Sequence, residues 1–258
     1  MSLSFSALSL NRLSWFASPL AVLATWALVA NAGWYPTQLL VPPQHVYQAF
    51  VELLGSGELL EHLRGSLSRL AIGFVLGASG GLLFGTAMAL SRTVEAYCAP
   101  LFHTLRQIPS IALIPMFILF FGVEETFKVL IVTKAAFFPV ALAACEGVKG
   151  IPRSYFEVAD VYRLPLPSLF RDVAFPAAAP PILTGLRISL SRSWMVLVAA
   201  ELLAADTGLG QMIELSRQML RIDIVMVGVV VTGLVGFTLD HGLRLLEKRL
   251  FRWKPAHE

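Results

Sequence analysis

The chain has 258 residues, of which 56% are hydrophobic and only 14% are charged, and its mean hydropathy is +0.71. Soluble domains carry about 45–50% apolar and about 25% charged residues, so this composition excludes a water-soluble monomer and indicates a bilayer protein. The net charge of +3 arises from basic residues that stand singly or gather at one end, so we expect no nucleic-acid partner. Two isolated cysteines exclude a disulfide framework, and we expect no metal site.

Apolar runs long enough to cross a hydrocarbon core of about 30 Å predict an all-α, multi-pass membrane protein. We place about six transmembrane helices, at 15–34, 69–90, 111–121, 126–146, 181–205 and 224–246. The third run is short, and Pro109 and Pro115 interrupt the stretch that leads into it. We expect this crossing to begin near Tyr97 and to break around 107–110. Membranes tolerate such breaks where a neighbour or a water-filled path satisfies the backbone, so the break is a candidate pathway lining.

The distribution of lysine and arginine predicts the orientation of the chain. With the N-terminus inside, twelve basic residues fall in cytoplasmic segments, five fall outside and three lie within spans. Cytoplasmic loops carry the excess of basic residues in membrane proteins, so we expect both termini to lie inside.

The N-terminus admits a second interpretation, as a cleaved signal peptide. Arg12 precedes an apolar run that ends near the small residues Ala30 and Ala32, as at a cleavage site. We favour a retained helix because the run is long for a signal peptide. Cleavage would leave five spans in the same orientation.

Two polar interruptions divide the apolar pattern. About 34 residues between the first two spans predict an external loop with a short helix along the membrane surface. The larger interruption, at about 147–180, lies on the predicted cytoplasmic side and predicts two short amphipathic helices separated by Pro165 and Pro167. Such a unit can bind a groove through its apolar face, so we expect a soluble partner there.

Glycines recur every four residues in the second span, at Gly73, Gly77, Gly81 and Gly85. This spacing lines one helix face and lets another backbone approach closely. The sequence leaves open whether that neighbour belongs to the same chain or to a dimer partner, and we favour packing within the chain.

Polar residues inside spans are candidates for a translocation pathway, because charge is unfavourable in lipid. We predict pathway roles for five residues: Gln107, Lys134, Arg192, Trp194 and Glu201. Nine residues separate Arg192 from Glu201, which places them on opposite helix faces, so at least one needs another partner such as Lys134. A structural ion pair is the alternative for both. We expect Arg187 to reach the cytoplasmic surface, and a positive cavity would favour an anionic solute.

No sequence motif for catalysis is present. The chain lacks GxxxxGK[ST], HExxH and GxSxG, and its five histidines stand singly. We therefore expect no enzyme activity and no ATP bound by this chain.

The 147–180 segment carries a spaced motif that resembles a known family. Glu157-Val158-Ala159, Arg163 and Val173-Ala174-Phe175-Pro176 keep the spacing of the EAA, Gly and I-x-L-P elements of inner-membrane permeases of binding-protein-dependent ABC importers. The resemblance covers about 65–255. It is similar to the nitrate, taurine and aliphatic sulfonate branch in several further stretches: Arg106-Gln107-Ile108-Pro109, Ala112-Leu113-Ile114-Pro115, Phe121-Gly122, Gly185-Leu186-Arg187, Ala200-Glu201, Gly208-Leu209-Gly210 and Arg252-Trp253-Lys254-Pro255.

The resemblance implies a type I ABC importer permease in the bacterial inner membrane, acting as a homodimer. It implies three segments: a helix and external loop (1–62), the permease domain (63–247) and a basic cytoplasmic tail (248–258). Two copies of an ATPase, which bind the ATP and Mg²⁺, would dock on the 147–180 loop, and an external solute-binding protein would deliver a small anionic solute. The implied ATPase-coupling residues are Glu157, Ala159, Asp160, Arg163, Leu164, Phe170 and Pro176.

Two departures and two rival functions accompany this resemblance. Arg163 stands where the family has Gly, at a turn that Gly permits with positive φ, and Val158 stands where it has Ala. The rivals are an ATP-independent secondary transporter, for which we find no internal repeat, and a membrane anchor that transports nothing.

Overall fold

The computed structural model describes residues 5–34, 36 and 40–250, and side chains for 17–34, 36, 40–165 and 167–250. Over these residues the chain is helical and forms no strand, which confirms the all-α prediction. The helices, in chain order, are α1 (Phe5–Asn31), α2 (Pro43–Ser56), α3 (Glu58–Leu90), α4 (Arg92–Leu105), α5 (Ile114–Phe121), α6 (Glu125–Lys149), α7 (Arg153–Val161), α8 (Leu166–Ser168), α9 (Phe175–Leu203), α10 (Leu209–Gln218) and α11 (Ile222–Leu250).

Four helical segments are long and apolar enough to cross a membrane: Glu58–Leu90, Glu125–Lys149, Leu169–Leu203 and Ile222–Leu250. They correspond to the second, fourth, fifth and sixth predicted spans. The first and third spans correspond to the shorter apolar helices Ala17–Asn31 and Ile111–Phe121. The total of six crossings and the orientation of the termini stay predictions.

The predicted break in the third crossing is present. Helix α4 ends at Leu105, and the chain resumes in a 3₁₀ turn (Ile111–Leu113) that leads into α5. Proline explains both features: Pro109 offers no amide hydrogen inside the break, whereas Pro115 lies in the first turn of α5, where that hydrogen has no helical partner.

Helix α6 packs against α9 and against the glycine face of α3, and it is the most buried of the long helices. The four-residue glycine stripe of α3 faces it. A Cβ atom on Gly81 would lie 2.7 Å from the Phe137 carbonyl oxygen, and one on Gly85 would overlap the Ala141 carbonyl oxygen. The stripe therefore brings two backbones of the same chain together.

Two helices extend beyond the predicted segments. Helix α3 begins at Glu58, before the membrane span predicted from residue 69. The second amphipathic helix of the 147–180 segment is not separate: α8 continues through a π-helical turn (Leu169–Ala174) into α9. Pro180 and Pro181 lie inside α9, where the Thr184 hydroxyl donates to the Pro180 carbonyl.

Backbone contacts group the chain into two compact units. One comprises Met1–Leu60 with Met212–Val230, and the other comprises Glu61–Gln211 with Val231–Glu258. In the first unit the Trp26 indole donates to the Val41 carbonyl at 3.1 Å. The second unit holds the long helices α6 and α9 and the 147–180 segment.

Candidate functional site: a cationic cavity and a coupling turn

A cavity of about 320 Å³ opens at the break after α4. Three basic residues line it: Arg106 at the end of α4, Lys134 in α6 and Arg192 in α9. No carboxylate lines it among the described residues. The cavity is open, since Arg192 and Met195 in its wall are exposed. Its wall is positive, and two of the five predicted pathway residues, Lys134 and Arg192, lie in it.

Lys134 connects α6 to the broken segment. Its ammonium donates to the Ile108 carbonyl and lies 3.3 Å from the Ser110 hydroxyl. The Ile108 carbonyl belongs to the backbone that the break leaves without helical hydrogen bonds. Lys134 thus supplies a hydrogen bond to a backbone carbonyl of the break, and broken membrane helices require such partners.

Glu201 lies in a different place, inside a buried ion pair. The residue is 1% exposed, and its carboxylate accepts hydrogen bonds from the Ser66 hydroxyl, the Arg69 guanidinium at 2.8 Å and the Gly210 amide at 3.1 Å. This geometry is the structural ion pair that the sequence left open as the alternative. The partner is Arg69, not Lys134.

Arg69 joins four segments of the chain. Besides Glu201, its guanidinium donates to the carboxylate of Glu125 at the start of α6 and to both the carbonyl and the hydroxyl of Thr207. Ser66 completes the cluster by accepting the Leu209 amide hydrogen at 2.9 Å. The cluster fixes α3, α6, the end of α9 and the turn after it.

Sequence patterns did not indicate this cluster, because the second predicted span begins at residue 69. Arg69 was therefore placed with the basic residues outside the membrane. Arg69 lies about 16 Å along α3 from its first residue. The signal was available: His62, Ser66 and Arg69 are spaced by four and three residues and so share one helix face.

The remaining pathway predictions fall outside the cavity wall. Trp194 is buried, and its indole donates to the Thr232 carbonyl at 3.1 Å, which ties α9 to α11. Gln107 is exposed within the break. Arg187 is half-buried and paired: it lies 3.3 Å from Glu247 and 3.7 Å from Asp240, both on α11, and its reach to the cytoplasmic surface stays a prediction.

The α7 turn has the geometry for which the resemblance implies glycine at position 163. Helix α7 ends in a pair of closing hydrogen bonds, from the Leu164 amide to the Ala159 carbonyl and from the Arg163 amide to the Asp160 carbonyl, each 3.0 Å long. This is a Schellman motif, whose residue after the cap takes a left-handed conformation. Arg163 adopts it with φ +50°, which is unfavourable for a residue with a side chain.

The predicted coupling residues lie on α7, at this turn and after it. Ala159 is buried and Pro176 is half-buried, while five others are exposed: Glu157, Asp160, Arg163, Leu164 and Phe170. Apolar side chains are exposed beside them, including Val161 at 81% and Tyr162 at 75%. An apolar surface with a polar edge suits the docking of a protein partner.

The first unit holds a larger cavity, of about 760 Å³, between α2 and the residues before and at the start of α11. Its polar lining includes His45, Glu52 and Arg221. Arg221 lies 2.7 Å from Asp223 and 3.5 Å from Glu52, and the hydrogen bond to Asp223 raises the pKa of Arg221. The charges of this wall are therefore already paired.

A family profile described as "Binding-protein-dependent transport system inner membrane component" matches residues 80–252. Among curated proteins, the chain is 38% identical over 240 residues to a Bacillus subtilis chain named as an aliphatic sulfonates transport permease protein, SsuC. The match covers 93% of this chain and 87% of the relative. It is 37% identical to the taurine transport system permease protein TauC of Escherichia coli, with 91% and 87% covered.

A bicarbonate transport system permease protein, CmpB of Synechococcus elongatus, is 32% identical, with 72% of this chain and 68% of the relative covered. Among solved structures, a chain of an amino acid ABC transporter crystallised with histidines shares the fold. Its TM-score is 0.60 at 16% identity, with 78% of this chain and 97% of that chain covered. A chain of the MetNI methionine ABC transporter gives 0.53 at 20% identity, with 70% and 92% covered.

Proposed function

Because the chain belongs to the family of binding-protein-dependent transport system inner membrane components, we propose that it forms the solute pathway of an ATP-driven importer for small sulfonate-type anions. The chain is a multi-pass inner-membrane permease of an ABC transporter and not an enzyme. What we propose beyond this is the class of solute that the permease transports and the way in which the partner proteins act on the permease.

The α7 turn carries the proposed coupling. A separate ATPase binds the exposed surface around Glu157, Val161, Tyr162 and Phe170, and this chain holds neither ATP nor Mg²⁺ itself. Because α8 runs without a break into α9, a force on the turn acts on a long helix that reaches the cationic cavity. A docked ATPase that changes shape can therefore bias the positions of Arg192 and its neighbours, as coupling by differential contacts requires.

The charge of the cavity supports an anionic solute. The relatives are named for aliphatic sulfonates, taurine and bicarbonate, which all carry an oxyanion group. The cavity at Arg106, Lys134 and Arg192 has the complementary sign. In the working importer we propose two copies of this chain, two copies of the ATPase and an external solute-binding protein.

The rival functions lose their support. A secondary transporter would leave the Schellman turn and its exposed apolar surface without a role. A membrane anchor would need no positive cavity among its spans, since charge inside a membrane is retained mainly for function or pairing.

The test combines uptake with ATPase binding. Proteoliposomes that contain the permease, its ATPase and the solute-binding protein should take up ethanesulfonate only with ATP. Glu157→Lys should abolish ATPase capture in a pull-down, because it reverses an exposed charge on the docking surface. Glu61→Lys is the matched control, since Glu61 is also exposed but lies on α3. Uptake without ATP, or equal capture by both variants, would refute the proposal.

A further inference from the structure

The interiors of the four long apolar helices contain four basic residues that lie nine or more residues from either helix end: Arg69, Lys134, Arg187 and Arg192. Arg69 and Arg187 each lie against two carboxylates. Neither Lys134 nor Arg192 forms an ion pair with a described carboxylate. A cation inside a membrane is normally neutralised by an anionic partner. The lack of a carboxylate beside Lys134 and Arg192 therefore requires an explanation.

Arg192 has fewer contacts than Lys134. Lys134 at least donates to the Ile108 carbonyl, whereas the Arg192 guanidinium makes no hydrogen bond or ion pair to another described residue. The Arg106 side chain, which also lines the cavity, is likewise without a hydrogen bond or ion pair to a described residue. Two guanidinium groups with unused donors therefore line one cavity, beside an ammonium group.

The size and the lining of the cavity also limit which ligands fit it. Its volume of about 320 Å³ lies at the lower end of the range for small-molecule sites. Apart from the three cations and Ser110, the lining is apolar, and it includes Ile111, Phe138 and Met195. A ligand with an oxyanion at one end and a short alkyl chain at the other matches both parts. A guanidinium fork suits such an oxyanion because it donates two parallel hydrogen bonds.

We propose that Arg106, Lys134 and Arg192 form a binding site for a small alkyl oxyanion inside the permease itself. The inference rests on the proposed function for the identity of the solute, since the site would hold that solute during its passage. Lys134 donates to the Ile108 carbonyl and lies beside the Ser110 hydroxyl. An anion in the cavity would neutralise the two arginines and offer Lys134 a further acceptor.

The test measures binding directly, on the full complex of permease and ATPase in lipid nanodiscs. Saturation-transfer NMR follows sodium ethanesulfonate, and ethyl methyl sulfone serves as an uncharged probe of similar shape. Nitrate and bicarbonate are competitors that separate oxyanion recognition from alkyl recognition. The variants are Arg106→Gln, Arg192→Gln and Arg192→Lys. Arg64→Gln is the matched control, because Arg64 is an exposed arginine of α3 outside the cavity.

We expect wild type and Arg64→Gln to bind ethanesulfonate equally, and both glutamine variants to bind at least about tenfold more weakly, since each loses a charged hydrogen bond. Arg192→Lys should retain part of the affinity, because it keeps the charge but loses the fork. Nitrate should compete and the sulfone should not. Absence of wild-type binding, unchanged binding in both glutamine variants, or equal competition by the sulfone would overturn the site.

Failure of the site is distinguishable from failure of the proposed function. Ethanesulfonate uptake that needs ATP, together with binding that ignores Arg106 and Arg192, removes the site and leaves the importer. Binding that depends on both arginines, without any uptake, supports the site and removes the importer.

Discussion

Replacing Arg69 with Met removes the only basic side chain that pairs with Glu201 among the described residues. The Glu201 side chain is fully buried, and its remaining donors are the Ser66 hydroxyl and the Gly210 amide. Removing one partner of a buried ion pair costs about 3–5 kcal/mol, because the other charge stays behind in a medium of low polarity. We expect Arg69→Met to lower the free energy of unfolding by this amount.

A double-mutant cycle separates the ion pair from other effects. Glu201→Gln keeps an acceptor for Ser66 and removes the charge, while Arg69 keeps Glu125 as a partner. In the double variant no unpaired carboxylate remains at position 201, so its loss of stability should be at least about 1 kcal/mol smaller than the sum of the two single losses.

The measurement is reversible unfolding by sodium dodecyl sulfate titration in mixed micelles, followed by tryptophan fluorescence. Arg64→Met, on the same helix with an exposed side chain, should stay within about 0.5 kcal/mol of wild type. Arg69→Met within that same margin, or strictly additive single effects, would refute the reasoning.

Two further predictions concern backbone geometry. Gly85→Ala should destabilise the protein by about 1–3 kcal/mol, because the new Cβ atom meets the Ala141 carbonyl, whereas Gly80→Ala, whose Cβ would lie 3.6 Å from Phe137, should stay near wild type. Thermal unfolding in detergent compares the two, and equal transition temperatures would contradict close α3–α6 packing. Arg163→Gly should relieve about 1 kcal/mol of left-handed strain and slow hydrogen exchange at the Leu164 amide. Faster exchange there would mean that the arginine side chain stabilises the turn.

Local patterns in the sequence were sufficient for several features. Proline spacing predicted the break between α4 and α5, and the four-residue glycine period predicted a close helix contact. The resemblance to the permease family implied a glycine position at residue 163, and Arg163 has the positive φ that glycine permits. Each of these features depends on a few consecutive turns, within which proline and glycine act directly on the backbone.

Other features lay beyond local patterns. The apolar pattern did not show where α3 begins, because polar turns at the end of a helix have the composition of a loop. Ser66, Arg69 and Glu125 are far from Glu201 in sequence, so no periodicity indicates that they meet. The continuity of α8 with α9 was missed because Pro165 and Pro167 indicate a helix end, whereas in the structure they lie before and at the start of one continuous helical run.

The sequence by itself determined the solvent of this protein, its helical class and its family, because these follow from composition, period and motif spacing. The tertiary structure alone decided which charges are paired. Arg69 and Arg192 both lie in the interior of long apolar helices, yet Arg69 is buried against two carboxylates, whereas Arg192 is exposed and lines a cavity. That difference depends on which helix faces which, and the packing of α3 against α6 and of α6 against α9 determines it.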